Sequence, residues 1–319
     1  MHSNPMPTHA RFRNAALIFN PQAGRRPWRR RTTLPQAVAF LEHCGISVVL
    51  LPTTGPGSGT AIARAQLAAG RDLIVVCGGD GTVNEVVNGM AGSPVPLALL
   101  PSGTANVLAK ELGLPWDPWR AAEYIPQGEV RRIALGRAGG RYFIAVGGAG
   151  SDANLIYHAT RHGRTRLGIL TFWLEGFRQL LTSGFPEFTV EVNGEWLSAT
   201  LVVVSRTRHY GGPIQITRRA NLFGDDFEVA VFPRRSPIVY WLYFLAQLAG
   251  QLGRFPEVRY FRARHVVARP HQVRVRAQVD GELVGDLPLD FTLIPDALSL
   301  LVPGRGVTPG PDSWGIVEA

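Results

Sequence analysis

Between residues 14 and 112 the chain runs four times through one pattern: a short apolar run, a turn, and a segment with helical spacing. The runs are "AALIFN", "SVVLL", "DLIVVC" and "PLALLP", and the helical segments fall near 33–44, 58–69, 82–90 and 104–112. Apolar strands alternating with helices imply a parallel, doubly wound sheet with helices on both faces. The pattern therefore predicts an α/β domain over 14–130.

After about residue 128 the period shortens to two in "FTVEV", "SATLVVV", "FEVAVF" and "QVRVRAQV". Such alternation predicts a β-rich domain, an antiparallel sandwich, over 131–303, interrupted by helices near 166–182 and 236–252. Asn193-Gly194 within "EVNGEW" is a strong hairpin signal. "GEVRRIALG" is the expected crossing between domains, and the last segment of the second domain is a candidate to return to the first. Residues 1–13 are expected to be disordered and 304–319 to form a mobile tail. A chain of 319 residues, 45% hydrophobic and 18% charged, can bury two cores and is not compositionally disordered.

The formal charge of +9 comes chiefly from arginines, clustered at 25–26, 29–31, 218–219 and 259–276. They favour an anionic partner, nucleotide phosphates or an acidic membrane, against the alternative of an ordinary solvated surface. No nucleic acid partner is expected, because no binding motif accompanies them. Cys44 and Cys77 stand in apolar segments without metal spacing, which suits a reducing compartment. The N-terminus lacks a signal-peptide core, so the expected location is cytoplasmic. Residues 236–253 carry no charge and approach the length of a membrane span, but Gln247, Gly250, Gln251 and Gly253 favour a buried or membrane-touching helix.

In an open parallel sheet ligands sit beyond the carboxyl ends of the strands. Three turns there combine glycine or other small residues with amide or hydroxyl side chains: "IFNPQAGRR", "VVCGGDGTVNE" and "LLPSGTANVLAKELG". They leave backbone N–H groups open to phosphate oxygens at helix N-termini. None is a GxxxxGK[ST] loop, and the second lacks the third glycine of GxGxxG because Asn84 stands there, which disfavours a dinucleotide oxidoreductase. Asp80 has a plain explanation as a helix N-cap. Thr82 with Glu85 three residues later forms a capping box of its own, which leaves Asp80 for a metal ion or a proton.

"GGDGTVNEVVNG" with "LPSGTANVLAKELGLP" resembles the catalytic domain of the diacylglycerol kinase and sphingosine kinase superfamily, most of all its bacterial soluble lipid kinases. The likeness extends through "FNPQAG", "TTGPGSGTAIARA", "VGGAGSDANL" and "VDGE" and covers about 14–302. It implies transfer of the γ-phosphoryl group of ATP, with Mg²⁺, to a lipid hydroxyl in a cleft between a nucleotide domain and a lipid domain. Matched by position, it implies nucleotide binding at Asn20, Pro21, Gln22, Ala23, Gly24, Thr53, Gly79, Asp80, Gly81, Thr82, Val83, Asn84, Glu85, Gly103 and Thr104. Asp80 matches the acid that assists metal and phosphate placement, Asp280 and Glu282 the late acids that supply a general base, and Asp152 an acid near the lipid headgroup. By itself "VDGE" is equally a hairpin turn.

Two departures stand out. Relatives with a structural Mg²⁺ site carry an Asp-Asp-Gly run where this chain reads "RRANLFGDDFEV"; Gly224 takes the usual ligand position, so Asp225 and Asp226 are not assigned to a metal. Val107 replaces the acid common after Asn106. The resemblance also implies peripheral association with the inner face of an anionic membrane and leaves a homodimer open. An NAD kinase-like phosphotransferase and a non-catalytic lipid- or nucleotide-binding homologue are the alternatives.

Overall fold

The computed structural model describes residues 11–23, 27–151, 185–210 and 215–304, with backbone alone for 27–32. Gly24, Asp152, the helix expected near 166–182, residues 1–10 and 305–319 lie outside the described residues. The chain divides into two compact units, one up to Ile133 and again from Asp296, the other from Ala134 to Pro295.

The first unit is the doubly wound sheet. Its strands are β1 (Asn14–Phe19), β2 (Ser47–Pro52), β3 (Leu73–Gly78) and β4 (Leu97–Pro101), in the order β2-β1-β3-β4. All are parallel, with Leu17 opposite Leu50 and Val75, and Val76 opposite Leu99. The central strands β3 and β4 are buried along their whole length and the edge strand β2 is only partly so, which is why "LIVVCG" and "LALLP" read as unbroken apolar runs. The end of the last strand, β16 (Leu289–Val302), adds to this sheet beside β4 through Leu300 and Leu97. Cys44 and Cys77 are buried and not joined.

Helices α1 (Pro27–His43), α2 (Ser58–Ala68), α3 (Asp80–Met90), α4 (Val107–Glu111) and α5 (Pro118–Ala122) connect the strands. The first begins before the expected 33. The helix α5, which the apolar spacing did not indicate, starts on Asp117, whose Oδ1 accepts the Trp119 N–H at 2.9 Å ahead of a proline at its first position.

In the order β2-β1-β3-β4 the chain leaves β1 toward one edge and returns toward the other at β3. That reversal opens a crevice beyond the carboxyl ends of β1 and β3, where two helices diverge from adjacent strands.

The second unit is an antiparallel sandwich. One sheet runs β12 (Arg259–Ala263), β11 (Phe227–Phe232), β10 (Leu201–Ser205), β7 (Val146–Gly150), β14 (Arg276–Val279), β15 (Glu282–Asp286). The other pairs β9 (Glu195–Ala199), β8 (Phe188–Val192), β13 (His265–Pro270) and the first part of β16, with Val266 opposite Val192 and Phe291. The strand β5 (Glu129–Ala138) begins in the first unit and ends in the second, where Gly136–Ala138 pair with β6 (Arg141–Phe143). Phe143, Phe188, Phe227, Phe291, Val202 and Val229 meet in a dry core between the faces, with Phe143 stacked on Phe227 at 5.7 Å. The Asn193-Gly194 turn has positive φ at both residues, as the predicted hairpin requires.

The expected helix near 236–252 is α6 (Pro237–Leu248). Its 12 residues fall short of a span, and among the described residues no helix is long and apolar enough to cross a membrane.

Candidate functional site

Three backbone turns meet at the switch point of the first unit. After β1, the Asn20 side chain accepts the Gln22 N–H at 2.8 Å, an Asx turn, while its amide reaches Thr82 Oγ1 at 3.4 Å on α3. After β3, Gly79 is the N-cap of α3 in extended geometry. After β4, Asn106 has a φ of 47° and clamps its own turn, its Oδ1 accepting the Gly103 N–H at 2.9 Å and its Nδ2 donating to the Gly103 carbonyl at 3.1 Å. The turns are stitched together: Ser102 N–H donates to the Gly78 carbonyl at 3.0 Å, and Asp80 Oδ1 accepts the Val107 N–H at 2.6 Å.

Asp80 is thus the first residue of α3 and the cap of α4 at once. A carboxylate here faces the positive end of two helices, which is favourable for the acid and leaves a surface that attracts anions. Lys110 on α4 is buried near it; desolvation pushes its ammonium down and the Asp80 charge pulls it back up.

The expected capping box does not form. Thr82 is buried and takes the Asn20 amide, and Glu85 turns away from its own helix. Its two oxygens accept the Gly57 and Gly59 N–H groups, each at 2.8 Å, at the start of α2. Those two donors offer a charge-assisted pair of bonds at a helix N-terminus, a stronger partner than one N–H of its own first turn. Gly79 is the cap, so α3 begins at Asp80 rather than Thr82.

Of the other positions singled out in the sequence, Gly81 is in the first turn of α3, and Gly103 and Thr104 are in the turn after β4, Thr104 exposed. Pro21, Gln22 and Ala23 follow β1, and Thr53 extends the β2 ladder through its N–H to the Phe19 carbonyl at 2.8 Å. Val83 and Asn84 are buried on the packed face of α3. Val107, the departure noted above, is also buried, with its N–H spent on Asp80.

The close approach of Gly79 and Gly103 allows no side chain. A Cβ on Gly103 would lie 2.4 Å from Gly79 Cα and 2.7 Å from Asn106 Oδ1. Gly103→Ala must therefore displace backbone, and we expect a loss of about 1–3 kcal/mol with nucleotide affinity weakened by at least about tenfold. Thermal melts and ATP titration of the purified variant check both.

The late acids occupy a different setting, in the second unit. Asp280 sits at φ 46° in the β14–β15 turn and its carboxylate collects three backbone N–H groups: Ile144 at 2.9 Å, Ala145 at 3.0 Å and Val146 at 2.9 Å. Glu282 pairs with Arg141 at 2.5 Å.

A match to the family model for the diacylglycerol kinase catalytic domain covers residues 14–138, and the one for the YegS C-terminal NAD kinase beta sandwich-like domain covers 145–302. The chain belongs to the diacylglycerol kinase family. A diacylglycerol kinase of Bacillus subtilis is 28% identical over 297 residues, covering 92% of this chain and 97% of that one. A diacylglycerol kinase of Staphylococcus saprophyticus is 26% identical over 295 residues, covering 91% and 96%. The crystal structure of a Bacillus anthracis diacylglycerol kinase superposes with a TM-score of 0.73 at 23% identity, over 93% of this chain and 99% of that one, and so shares its fold.

Membership makes the cation question concrete for this kinase. Among the described residues no three His, Cys, Asp or Glu side chains group to hold a metal. The 220–226 loop does not fit a structural cation, because guanidinium groups already fill it. Arg206 is fully buried and donates to the carbonyls of Gly224 at 2.8 Å, Asp226 at 3.2 Å and Leu222 at 2.5 Å. Arg262 pairs with the Asp226 carboxylate and Arg264 with that of Asp225. Burial pushes the Arg206 guanidinium down to about 10, with Asp226 opposing, so it stays charged at neutral pH. The melting midpoint should be the same in excess Mg²⁺ and in EDTA, whereas Arg206→Met should speed amide exchange across 220–226; a midpoint that falls with EDTA would contradict this.

Sequence reasoning passed over Asn106 and Lys110. The asparagine was visible in "GTAN", but only the αL geometry shows that it holds Gly103. The lysine offered one signal, a cation directly after the apolar run "VLA".

Proposed function

We propose that this kinase transfers the γ-phosphoryl group of ATP to the hydroxyl of a diacylglycerol-like lipid. One observation carries the nucleotide half: the turns after β1, β3 and β4 are tied to one another around the switch point, and Asp80 is fixed there by the Val107 N–H. The names of the relatives, diacylglycerol kinases along nearly their whole length, support the acceptor.

In this reading the backbone N–H groups at the start of α3 and those of Thr104 and Ala105 in the turn after β4 receive phosphate oxygens. Rigid, prepaid placement matters because phosphoryl transfer needs positioning and charge neutralisation more than covalent help. Mg²⁺ bound with the nucleotide supplies charge neutralisation between its phosphates. Asp80 orients that assembly from the protein side. The lipid oxygen attacks γ-phosphorus as the bond to the β-phosphate oxygen breaks, and the hydroxyl proton passes to a carboxylate; Asp80, Asp280 and Glu282 are the candidates carried by the chain.

The test is γ-labelled ATP with Mg²⁺, a total lipid extract and an excess of NAD. Label in a single lipid that comigrates with phosphatidic acid is expected. Label in NAD would establish the soluble phosphotransferase instead, and nucleotide binding without any labelled product would make the protein a non-catalytic homologue.

A further inference from the structure

The helix α6 is apolar on both its buried and its open side. Its buried side presents polar-tipped residues, each with a partner: the Tyr240 hydroxyl lies 2.8 Å from Thr200 Oγ1, the Tyr243 hydroxyl donates to Glu257 at 3.2 Å, and Gln247 Nε2 donates to the Gln215 carbonyl at 2.8 Å. Its aliphatic residues face outward. Ile238 is 71% exposed, Leu242 47%, Leu245 54% and Leu248 56%. The spacing of four, three and three residues puts them on one face. Trp241 and Phe244, 5.4 Å apart and half-buried, widen that face. The buried side is held by these hydrogen bonds and by ring contacts of Tyr240 with Phe185 and of Tyr243 with Phe232 and Phe255, so the aliphatic side is a second apolar surface that the described residues leave open.

We propose that this face is the surface by which the kinase docks on an anionic lipid bilayer. The choice of partner follows from charge and from the chemistry of the residues. The helix has no charged residue, and arginines bracket it: Arg234 and Arg235 before it, Arg254 after it, all exposed. Arg235 pairs with Glu187 at 3.1 Å and Arg234 lies 3.8 Å from Glu257, so the two acids orient these side chains but leave most of each guanidinium in water. An uncharged aliphatic face with aromatic neighbours and basic ends is the composition of an interfacial helix, which lies in the membrane plane rather than through it. A second copy of this chain would bring the same arginines and another +9 charge against the first. An acidic bilayer offers the opposite sign over an unlimited apolar area. The choice of lipid as partner leans on the lipid-kinase reading, because a kinase whose acceptor never leaves the bilayer has to reach it there.

The experiment is flotation of the whole protein with vesicles of phosphatidylcholine alone or mixed with phosphatidylglycerol. Wild type should float with the mixed vesicles and remain behind with phosphatidylcholine at moderate salt. Leu242→Ser with Leu245→Ser should lower partitioning by about tenfold, since each removes a half-exposed aliphatic side chain from the embedded face. The melting midpoint should hold, because neither leucine is part of the core. Arg234→Gln with Arg235→Gln should weaken binding to the mixed vesicles in a salt-dependent way. Partitioning that ignores the leucine pair overturns the proposal. So does wild type that sediments as a dimer and becomes a monomer in the leucine variant, which would assign the face to a second copy. Flotation is read without turnover, so a protein that floats as expected but labels no lipid keeps this surface and removes the acceptor assignment, and the converse result removes only the surface.

Discussion

Asp80→Asn should lower kcat by about 10²–10⁴-fold while the protein stays folded. The amide keeps an oxygen where Oδ1 accepts the Val107 N–H, so the tie between α3 and α4 survives in weakened form. What disappears is the negative charge. Without it the turns lose the carboxylate proposed to orient the nucleotide, and the buried Lys110 loses the neighbour that supports its ammonium. The stability loss should stay near ~1 kcal/mol, the difference between a charged and a neutral acceptor. Turnover on diacylglycerol and the thermal midpoint, measured on one preparation, separate the two effects. A folded Asn variant with wild-type kcat would remove Asp80 from the chemistry. Asp80→Ala is the less informative change, because it also deletes the cap of α4.

The architecture was open to sequence reading where burial is one-sided or complete. In the first unit β3 and β4 have no wet face, so their runs are unbroken; in the second, β8 alternates buried and half-buried residues, the period-two signal. The Asn193-Gly194 turn was legible for a local reason, its need for positive φ twice. Helix starts were less legible. Whether Gly79 or Thr82 caps α3 depends on who else competes for Thr82 and Glu85, and the winners, Asn20 and the Gly57 and Gly59 N–H groups, lie 62, 28 and 26 positions away. Capping rules are written for neighbours in sequence, and no local rule carries that information.

The same limit shaped the reading of the acids. "VDGE" and "GDDFEV" announce carboxylates, but what a carboxylate does depends on the donors the fold brings to it. For Asp225 and Asp226 those donors are guanidinium groups of β12 and of Arg264 beside it, from 36 and 39 positions downstream. For Asp280 they are backbone N–H groups from 134 to 136 positions upstream. The motif fixed the residue type, and the fold supplied the partner.

Asp280 therefore carries the largest expected effect on stability. Ile144, Ala145 and Val146 are buried at the turn into β7, and their N–H groups converge on its two oxygens. Asp280→Ala removes the carboxylate that accepts from all three buried donors and should reduce stability by about 3–5 kcal/mol, less than the sum of three separate charged bonds because two oxygens are shared. Asp280→Asn should lose less, about 1–3 kcal/mol. Asparagine tolerates the positive φ of the turn, and its oxygen keeps the Ala145 and Val146 donors while its amide opposes the Ile144 N–H. Denaturant melts of the two variants should rank them in that order below wild type. Turnover of the folded Asn variant then reads the second role independently. If the carboxylate also accepts the lipid proton, kcat collapses far beyond what the small stability change explains; if its work is to hold the backbone of β7, kcat survives in the Asn variant and is lost in the Ala variant together with the fold. Equal stability of Asp280→Ala and wild type would show that the three donors do not depend on it.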